Sequence, residues 1–508
     1  MEEMSNASQE DVFAFLADPS AHGLSERVSR IDTHGAAVFL AGKDVYKVKR
    51  AVRYPFMDLS TLEKRKHACE RELEVNRINA PDLYLGLVPI SREGGQIKFG
   101  TANVIEWAVH LRRFDENRTL DRLASRGELD REIIVGLAQA AARSHKRAPI
   151  AAAANAASAL HGQLEETLSS LAAAPHIFAR EDVLELRKGL SRAYAQNEGL
   201  LKEREKKGQV RRCHGDLHLR NIALIDGEPV LFDAIEFDES IATCDVLYDL
   251  AFLLMDLWTR GLKREANLLF NRYLWICEGL ESQLKGLALL PLFLSLRAAI
   301  RAKVAVLRPG GEENAIEARS FFAAARGFLL PAKLDLAAAG GLSGSGKTAL
   351  AAAIAHSIGR APGAVHLRSD IERKRIFGAS EFERLPAEAY LPPVSARVYE
   401  RLRSLAALAL TAGHSVIIDA AHLLAEERRA VELAASQGKA HFTGLWLEAT
   451  LGMLKERVRR RAKDASDATE EVVAKQAKLG ASAAEWQRLD ASAALDQIAA
   501  AARATLSR

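Results

Sequence analysis

The sequence predicts a multidomain chain, α+β in its first part and α/β in its second. Three observations carry this. The 508 residues exceed one ordinary core, and roughly 150 residues per domain gives about three structural units. The chain opens on short β-patterned runs and then turns helical. Beyond residue 331, apolar runs of strand length alternate with helical ones, the pattern of a parallel sheet. Two domains are expected, 1–330 and 331–508, with Gly/Pro breaks at 308–314 and at Pro331 marking the junction.

Taken in order, "AAVFLAGKDVYKVK" (36–49) reads as strand, Gly-Lys-Asp turn, strand. Ser60 with Glu63 forms a capping box, so a helix is expected from Ser60 to about Asn79, stopping before Pro81. "GGQIKFG" and "ANVIEWAVHLRRF" follow as strands. From Asp130 the chain is helical until Pro149, and 151–206 is Ala-rich with helical periodicity. Further helices run to about Arg326. The C-terminal strands are "LDLAAAG", "AVHLR", "SVIID" and "FTGLWLE".

Composition narrows the class. Hydrophobic residues make up 48% and charged ones 27%, an ordinary globular balance. A net charge of +4 is too small to predict a nucleic-acid partner. Four scattered cysteines contain no C-x-x-C pair, which argues against disulfide frameworks and zinc ribbons. The acidic start "MEEMSNASQEDVFAFL" is not a signal peptide. "GLALLPLFLSL" (286–296) is too short to span a membrane and contains Pro291. A cytoplasmic chain with no membrane partner is expected.

"GLSGSGKT" (341–348) fits G-x-x-x-x-G-K-[ST]. Gly341, Gly344 and Gly346, with Ser343 and Ser345 between, allow backbone N–H groups to wrap a phosphate. Lys347 reaches the β/γ-phosphates and Thr348 offers its hydroxyl to Mg²⁺. Asp419 ends "SVIID", where a metal carboxylate belongs. It is followed by Ala420 and Ala421, not by the Glu a motor ATPase uses, so transfer to an acceptor is favoured. Asp370 and Arg373, in "RSDIERKR", suit an acceptor base and a phosphoryl-binding cation; Asp370 could equally be a helix N-cap. Arg457, Arg459, Arg460 and Arg461 precede a second cap signal, Asp467 with Glu470. They read as a lid of phosphoryl-stabilising arginines, or as a solvated basic helix or nucleic-acid patch. These pieces resemble small P-loop kinases related to gluconate kinase and phage polynucleotide kinase. They look more like the AAA-type kinase domain that bacteria fuse to aminoglycoside-phosphotransferase-like domains. The loop, the D-x-x-R and "SDA" (466–468) carry that likeness over about 333–490. "DAAHLL" departs from it, lacking a bulky aromatic.

"HGDLHLRN…LFDAIEFD" (214–238) places Asp216, Asn221 and Asp233 around two short apolar strands. It resembles the H-G-D-x-x-x-x-N loop of aminoglycoside phosphotransferases and choline kinases, and "VLYDLAFLLMDL" resembles the helix that follows. The resemblance implies a bilobal, protein-kinase-like fold with Asp216 as catalytic base and Asn221 and Asp233 as metal ligands. It also implies a strand Lys held by a helix Glu. "VYKVKR" offers Lys47 or Lys49, on one side of a strand, and the family pattern prefers Lys47. Glu72 shares an inward stripe with Ala68 and Val75. "EWAVHLRRF" (106–114) resembles the adenine-contacting hinge. A metal site at His214, Asp216 and His218 lacks a completing cluster.

The expected function is ATP-dependent, Mg²⁺-assisted transfer to hydroxyls of small-molecule acceptors by two modules. The alternative is a regulatory protein in which one module only senses nucleotide. The acceptor stays open among sugars, amino alcohols, nucleosides and protein hydroxyls. The acid-poor "AAAANAASALHG" speaks against a polycationic aminoglycoside.

Overall fold

The computed structural model describes residues 3–54, 57–151, 155–308, 311–460, 464–479 and 485–507. Contacts divide the chain into two compact units. One is Met1–Ala159 with Glu205–Leu253, and the other is Leu160–Arg204 with Leu254–Arg508. The spatial division therefore does not fall at 331. Residues 160–204 and 254–330 belong with the C-terminal sheet.

The first unit is built on a six-stranded antiparallel sheet. Its order is Ser29–Asp32, Ala36–Ala41, Asp44–Lys49, Val104–Arg112, Tyr84–Glu93, Gln96–Phe99. The expected hairpin at 36–49 forms, with Ala41 opposite Asp44. Strand alternation sends Val48 to one face and Lys47 and Lys49 to the other. Val48 packs with Phe39 and Ala108 under Val12, Phe13 and Leu16 of the N-terminal helix. The opposite face is covered by the Leu62–Arg77 helix, where Cys69 meets Tyr84, Val109 and Leu111. That helix is capped one residue later than expected. Thr61 accepts from Lys64 N–H, while Ser60 is spent on Asp58. The strand Tyr84–Glu93 was not foreseen. It carries both Gly86 and Pro89, and its burial does not alternate cleanly. Ile222–Ile225 and Glu228–Leu231 pair through the two-residue turn Asp226-Gly227, both at positive φ.

The second unit centres on a five-stranded parallel sheet. Its order is Val365–Arg368, Val416–Asp419, Asp335–Gly341, His441–Glu448, Gln487–Asp490. Every residue of Asp335–Gly341 is buried, as a strand covered on both faces requires. Leu350, Ile354 and Ile498 pack on it from two helices. The first four strands stand where the sequence places them, and Gln487–Asp490 adds an unforeseen edge. Pro291 sits in the first turn of the Leu290–Leu307 helix, where a missing N–H costs nothing. No described helix is long and apolar enough to cross a membrane.

Asp130 caps the Arg131–Arg147 helix, accepting from Ile133 N–H at 2.8 Å. Asp130→Ala should lower stability by about 1 kcal/mol in urea denaturation, and Asp130→Asn by much less.

Candidate active sites

In the first unit the sheet and helix bring the predicted cation and carboxylate together. Lys47 Nζ lies 2.8 Å from Glu72 Oε1 and 2.7 Å from Asp233 Oδ1. Lys49 also reaches Glu72, with Nζ 2.6 Å from Oε2, and pairs with Glu236. The two lysine alternatives thus resolve into a division of labour. Both hold Glu72, and Lys47 alone of the pair bonds Asp233. Burial would push the Lys47 ammonium down; the Asp233 and Glu72 carboxylates outweigh it and hold it well above its ordinary value. Burial would likewise raise Glu72, and the two lysines hold it well below the usual range instead.

Asp233 is in the left-handed region (φ 59°), with its N–H donating to Tyr84 Oη at 3.1 Å. The next N–H, of Ala234, donates to Asn76 Oδ1 at 2.8 Å. Asn221 Nδ2 donates to Asp216 Oδ2 (2.9 Å) and to Asp216 O (3.0 Å), and Asn221 O accepts from Phe232 N–H (3.0 Å). His214 is a loop staple. Its Nε2 faces Phe232 O at 2.9 Å, and burial keeps its pKa below the ordinary value. His218 Nε2 lies 3.3 Å from Asp216 Oδ2. Glu72, Lys47 and Asp233 form one charged group and Asn221 with Asp216 a second, joined in a single site through the backbone, where Phe232 N–H donates to Asn221 O. The oxygen donors of this site suit a hard cation such as Mg²⁺.

Asp249 was not singled out from the sequence. It is fully buried; Oδ1 accepts Gly215 N–H at 2.9 Å and Oδ2 lies 3.2 Å from His145 Nε2. A carboxylate inside the apolar run "VLYDLAFLL" was the available signal. Cys213, His145 and Asp249 converge as potential metal ligands, but both Asp249 oxygens are engaged in anchoring the loop.

In the second unit a cavity of about 780 Å³ is lined by Ser343, Gly344, Gly346, Lys347, Thr348, Asp370, Arg373, Asp419 and Arg457, among others. Gly344 (φ 84°) admits no side chain, because a Cβ would stand 2.6 Å from Leu454 O. Ser345 is buried, and its N–H bonds Leu342 O. Lys347 Nζ folds onto Gly341 O (2.9 Å) and Leu342 O (2.8 Å). Thr348 Oγ1 donates to Asp419 Oδ2 at 2.6 Å, a hydroxyl–carboxylate pair that fits a Mg²⁺ site. Burial would raise Asp419, but His366, Arg368 and Lys347 hold it far below the ordinary range. Asp370 is not an N-cap: Arg368 holds that position and Asp370 sits in the first turn. Burial raises its carboxyl above the ordinary range against the pull of Arg368.

Arg373 lies over the Tyr390 ring (4.9 Å) and donates to Ala389 O. Of the other arginines, Arg457 reaches the cavity wall. Arg460 does not: it is exposed and pairs with Glu456, one turn back on its own helix. Arg461 lies outside the described residues. Asp467 is not a helix cap either. Thr469 caps Glu470–Lys478, and Asp467 accepts from Lys374 (3.2 Å), Leu385 N–H (3.1 Å) and Tyr390 Oη (2.6 Å).

A model described as the phosphotransferase enzyme family matches residues 66–282, and one described as an AAA domain matches 336–479. The chain joins a phosphotransferase-family segment to an AAA segment. An uncharacterized protein of Mycobacterium tuberculosis is 28% identical over 465 residues, 90% of each chain. A gluconokinase from Sinorhizobium meliloti is similar to 34% of this chain and 92% of its own, with 21% identity and a TM-score of 0.25. A choline/ethanolamine kinase family protein from Mesorhizobium loti covers 63% of this chain and 94% of its own, with 14% identity and a TM-score of 0.37. The network around Asp233 falls within the phosphotransferase segment except for Lys47 and Lys49. The cavity is built by the AAA segment.

Glu72→Gln leaves two buried ammonium groups around a neutral amide. It should cost roughly 3–5 kcal/mol at neutral pH. The Glu72 carboxyl is depressed in the folded chain, so its contribution is complete above its unfolded value and fades as pH falls through the folded one. Denaturation curves of the two proteins should therefore converge on acidification and diverge towards neutrality.

Proposed function

We propose that the chain is an ATP-dependent phosphotransferase with two nucleotide sites, each moving the γ-phosphoryl group to a hydroxyl of a small acceptor. The observation that carries the reading is Lys47 bridging Glu72 and Asp233 while Asn221 holds Asp216. Lys47 would hold nucleotide phosphates, and Asn221 and Asp233 would hold Mg²⁺. Mg²⁺, when bound, offsets charge on the phosphate oxygens. Asp216 is oriented by Asn221 to accept the proton as the acceptor oxygen attacks. In the AAA segment the 341–348 loop, Lys347, Thr348 and Asp419 would hold nucleotide and metal, Asp370 would take the acceptor proton, and Arg373 and Arg457 would face the moving phosphoryl group. Residues 1–330 and 331–508 are the two functional modules in this reading.

A second reading treats the AAA segment as a nucleotide switch on the first module. It is favoured by one observation: helices of 254–330 share a compact unit with the AAA sheet.

Asp216→Asn should cut N-terminal turnover by about 10²–10⁴-fold while nucleotide still binds. Lys347→Ala should abolish C-terminal turnover and spare the N-terminal one. Both are read as transfer from labelled ATP to a panel of hydroxyl metabolites by the full-length chain. Loss of both activities in Lys347→Ala would favour the switch, and full activity in both variants would remove the kinase reading.

Asp370→Asn should slow C-terminal transfer without weakening nucleotide binding. Because the Asp370 carboxyl is raised and must be ionised to act, the acid limb of that activity should lie above the ordinary carboxylate range. A pH–rate profile checks this.

A further inference from the structure

The strand Val365–Arg368 is the edge of the parallel sheet. One side pairs with Val416–Asp419. On the other side, backbone groups of Pro362, Ala364 and His366 meet no strand among the described residues. Buried there, they need partners.

A helix supplies them through side chains. Asn267, Asn271 and Trp275 stand four residues apart on one face of Lys263–Ile276. Asn267 Nδ2 donates to Pro362 O (3.0 Å) and Ala364 O (3.2 Å). Asn271 Nδ2 donates to Ala364 O (3.1 Å), and its Oδ1 accepts His366 N–H (2.6 Å). Trp275 Nε1 donates to His366 O (2.8 Å). Two further contacts fix the helix. Arg272 forms a two-pronged pair with Glu381, both bonds 2.7 Å, and Arg375 donates to the last-turn carbonyls of Leu274 and Trp275. This helix lies within the stretch matched by the phosphotransferase model, not the AAA model.

The edge strand is also the one that holds Asp419. His366 Nε2 lies 3.4 Å from Asp419 Oδ2, the same oxygen that accepts the Thr348 hydroxyl. Arg368 Nε lies 3.6 Å from that oxygen. Trp275 touches both holders. Its ring meets the His366 ring edge-on at 5.4 Å, and the Arg368 guanidinium lies over it at 5.3 Å.

We propose that Asn271 and Trp275 are positioning residues of the AAA segment's nucleotide site, setting the Asp419 carboxylate through His366 and Arg368. The proposal rests on the reading of 341–348 and Asp419 as a nucleotide–Mg²⁺ site. It makes that site a joint product of both family segments, because the residues that align its metal carboxylate come from the phosphotransferase segment.

The test uses the full-length chain carrying Lys47→Ala and Asp233→Ala, so that the N-terminal site loses both its phosphate cation and its metal carboxylate. Binding of a fluorescent ATP analogue is titrated in EDTA and across Mg²⁺ concentrations. Trp275→Phe keeps an aromatic ring beside His366 and Arg368 but removes the indole N–H together with the pyrrole half of the ring. It should raise the Mg²⁺ needed for half-maximal affinity about 3- to 10-fold, the effect of one hydrogen bond. Affinity in EDTA should be unchanged, since Lys347 and the loop are untouched. An unchanged Mg²⁺ requirement, or an equal loss with and without Mg²⁺, overturns the proposal. If Trp275→Phe does not fold, Asn271→Ser takes its place with the same two readings. Lys347→Ala on the same background must abolish binding. If it does not, the nucleotide reading of the loop fails, an outcome separate from failure of the positioning role.

Discussion

A carboxylate taken out of water must find a cation, and Glu72 finds two. Its two oxygens are divided between Lys47 and Lys49, and each lysine reaches a second acid, Asp233 or Glu236. The constraint propagates. Lys47 and Lys49 lie on the same face of their strand, so their pairing with Glu72 sets which face of Asp44–Lys49 turns to the helix. Glu72 must face that strand, which fixes the rotation of the capped helix. Asp233 must come to Lys47, which closes the 222–231 hairpin over the same face. A buried ion pair adds little net stability by itself. What it supplies here is geometry, because strand, helix and hairpin must each present the right face for these charges to meet.

The second unit obeys the same rule with a different solution. Asp419 is buried, and it is met by a hydroxyl, an imidazole and a guanidinium. Burial keeps His366 below its ordinary pKa. His366 Nε2 faces the Asp419 carboxylate at 3.4 Å and gives it a direction. Arg368 adds the compensating cation and continues to Asp464 at 2.8 Å, linking the carboxylate to the stretch before the Glu470–Lys478 helix. Asp467, three residues on, gathers Lys374, Leu385 N–H and Tyr390. Asp464 and Asp467 thus tie this stretch to Arg368, Lys374 and Tyr390.

Features written in local chemistry were legible. A glycine-rich loop between strand and helix, an Asp-Gly turn between two apolar runs and an Asp before a helix each depend on a few adjacent residues. Glu72 was legible because a charge on an inward stripe demands a partner. The misplacements share a physical origin. Ser60 and Thr61 are both competent caps, and Asp58 decides between them by taking the Ser60 hydroxyl. Asp467 looks like a cap because its chemistry is that of one, but Lys374 and Tyr390, nearly 80 or more residues away, claim it first. Arg460 belongs to a basic run, yet helical geometry turns it back onto Glu456. Lys49 could not be separated from Lys47 because strand period puts both on one face, and the structure uses both. The strand Tyr84–Glu93 was hidden by Gly86 and Pro89, residues that sheet pairing accommodates and propensity does not.

The junction near 331 shows the deepest limit of reading along the chain. Proline, glycine and the onset of strand–helix alternation mark it well, and the two family matches fall on either side of it. Contacts divide elsewhere, and among those that join 254–330 to the sheet are polar groups that periodicity cannot see. On a helix, Asn267 and Asn271 read as a solvated stripe beside a core face. They are instead 3% exposed and hydrogen-bonded to the backbone of a strand about ninety-five residues on. A parallel sheet ends in an unpaired edge wherever its last strand lies, and that edge must be covered or left to associate. Here the cover is a helix from the preceding segment, with amide side chains standing in for a missing strand. Because the covered strand also carries His366 and Arg368, closing the sheet and aligning Asp419 are one structural event.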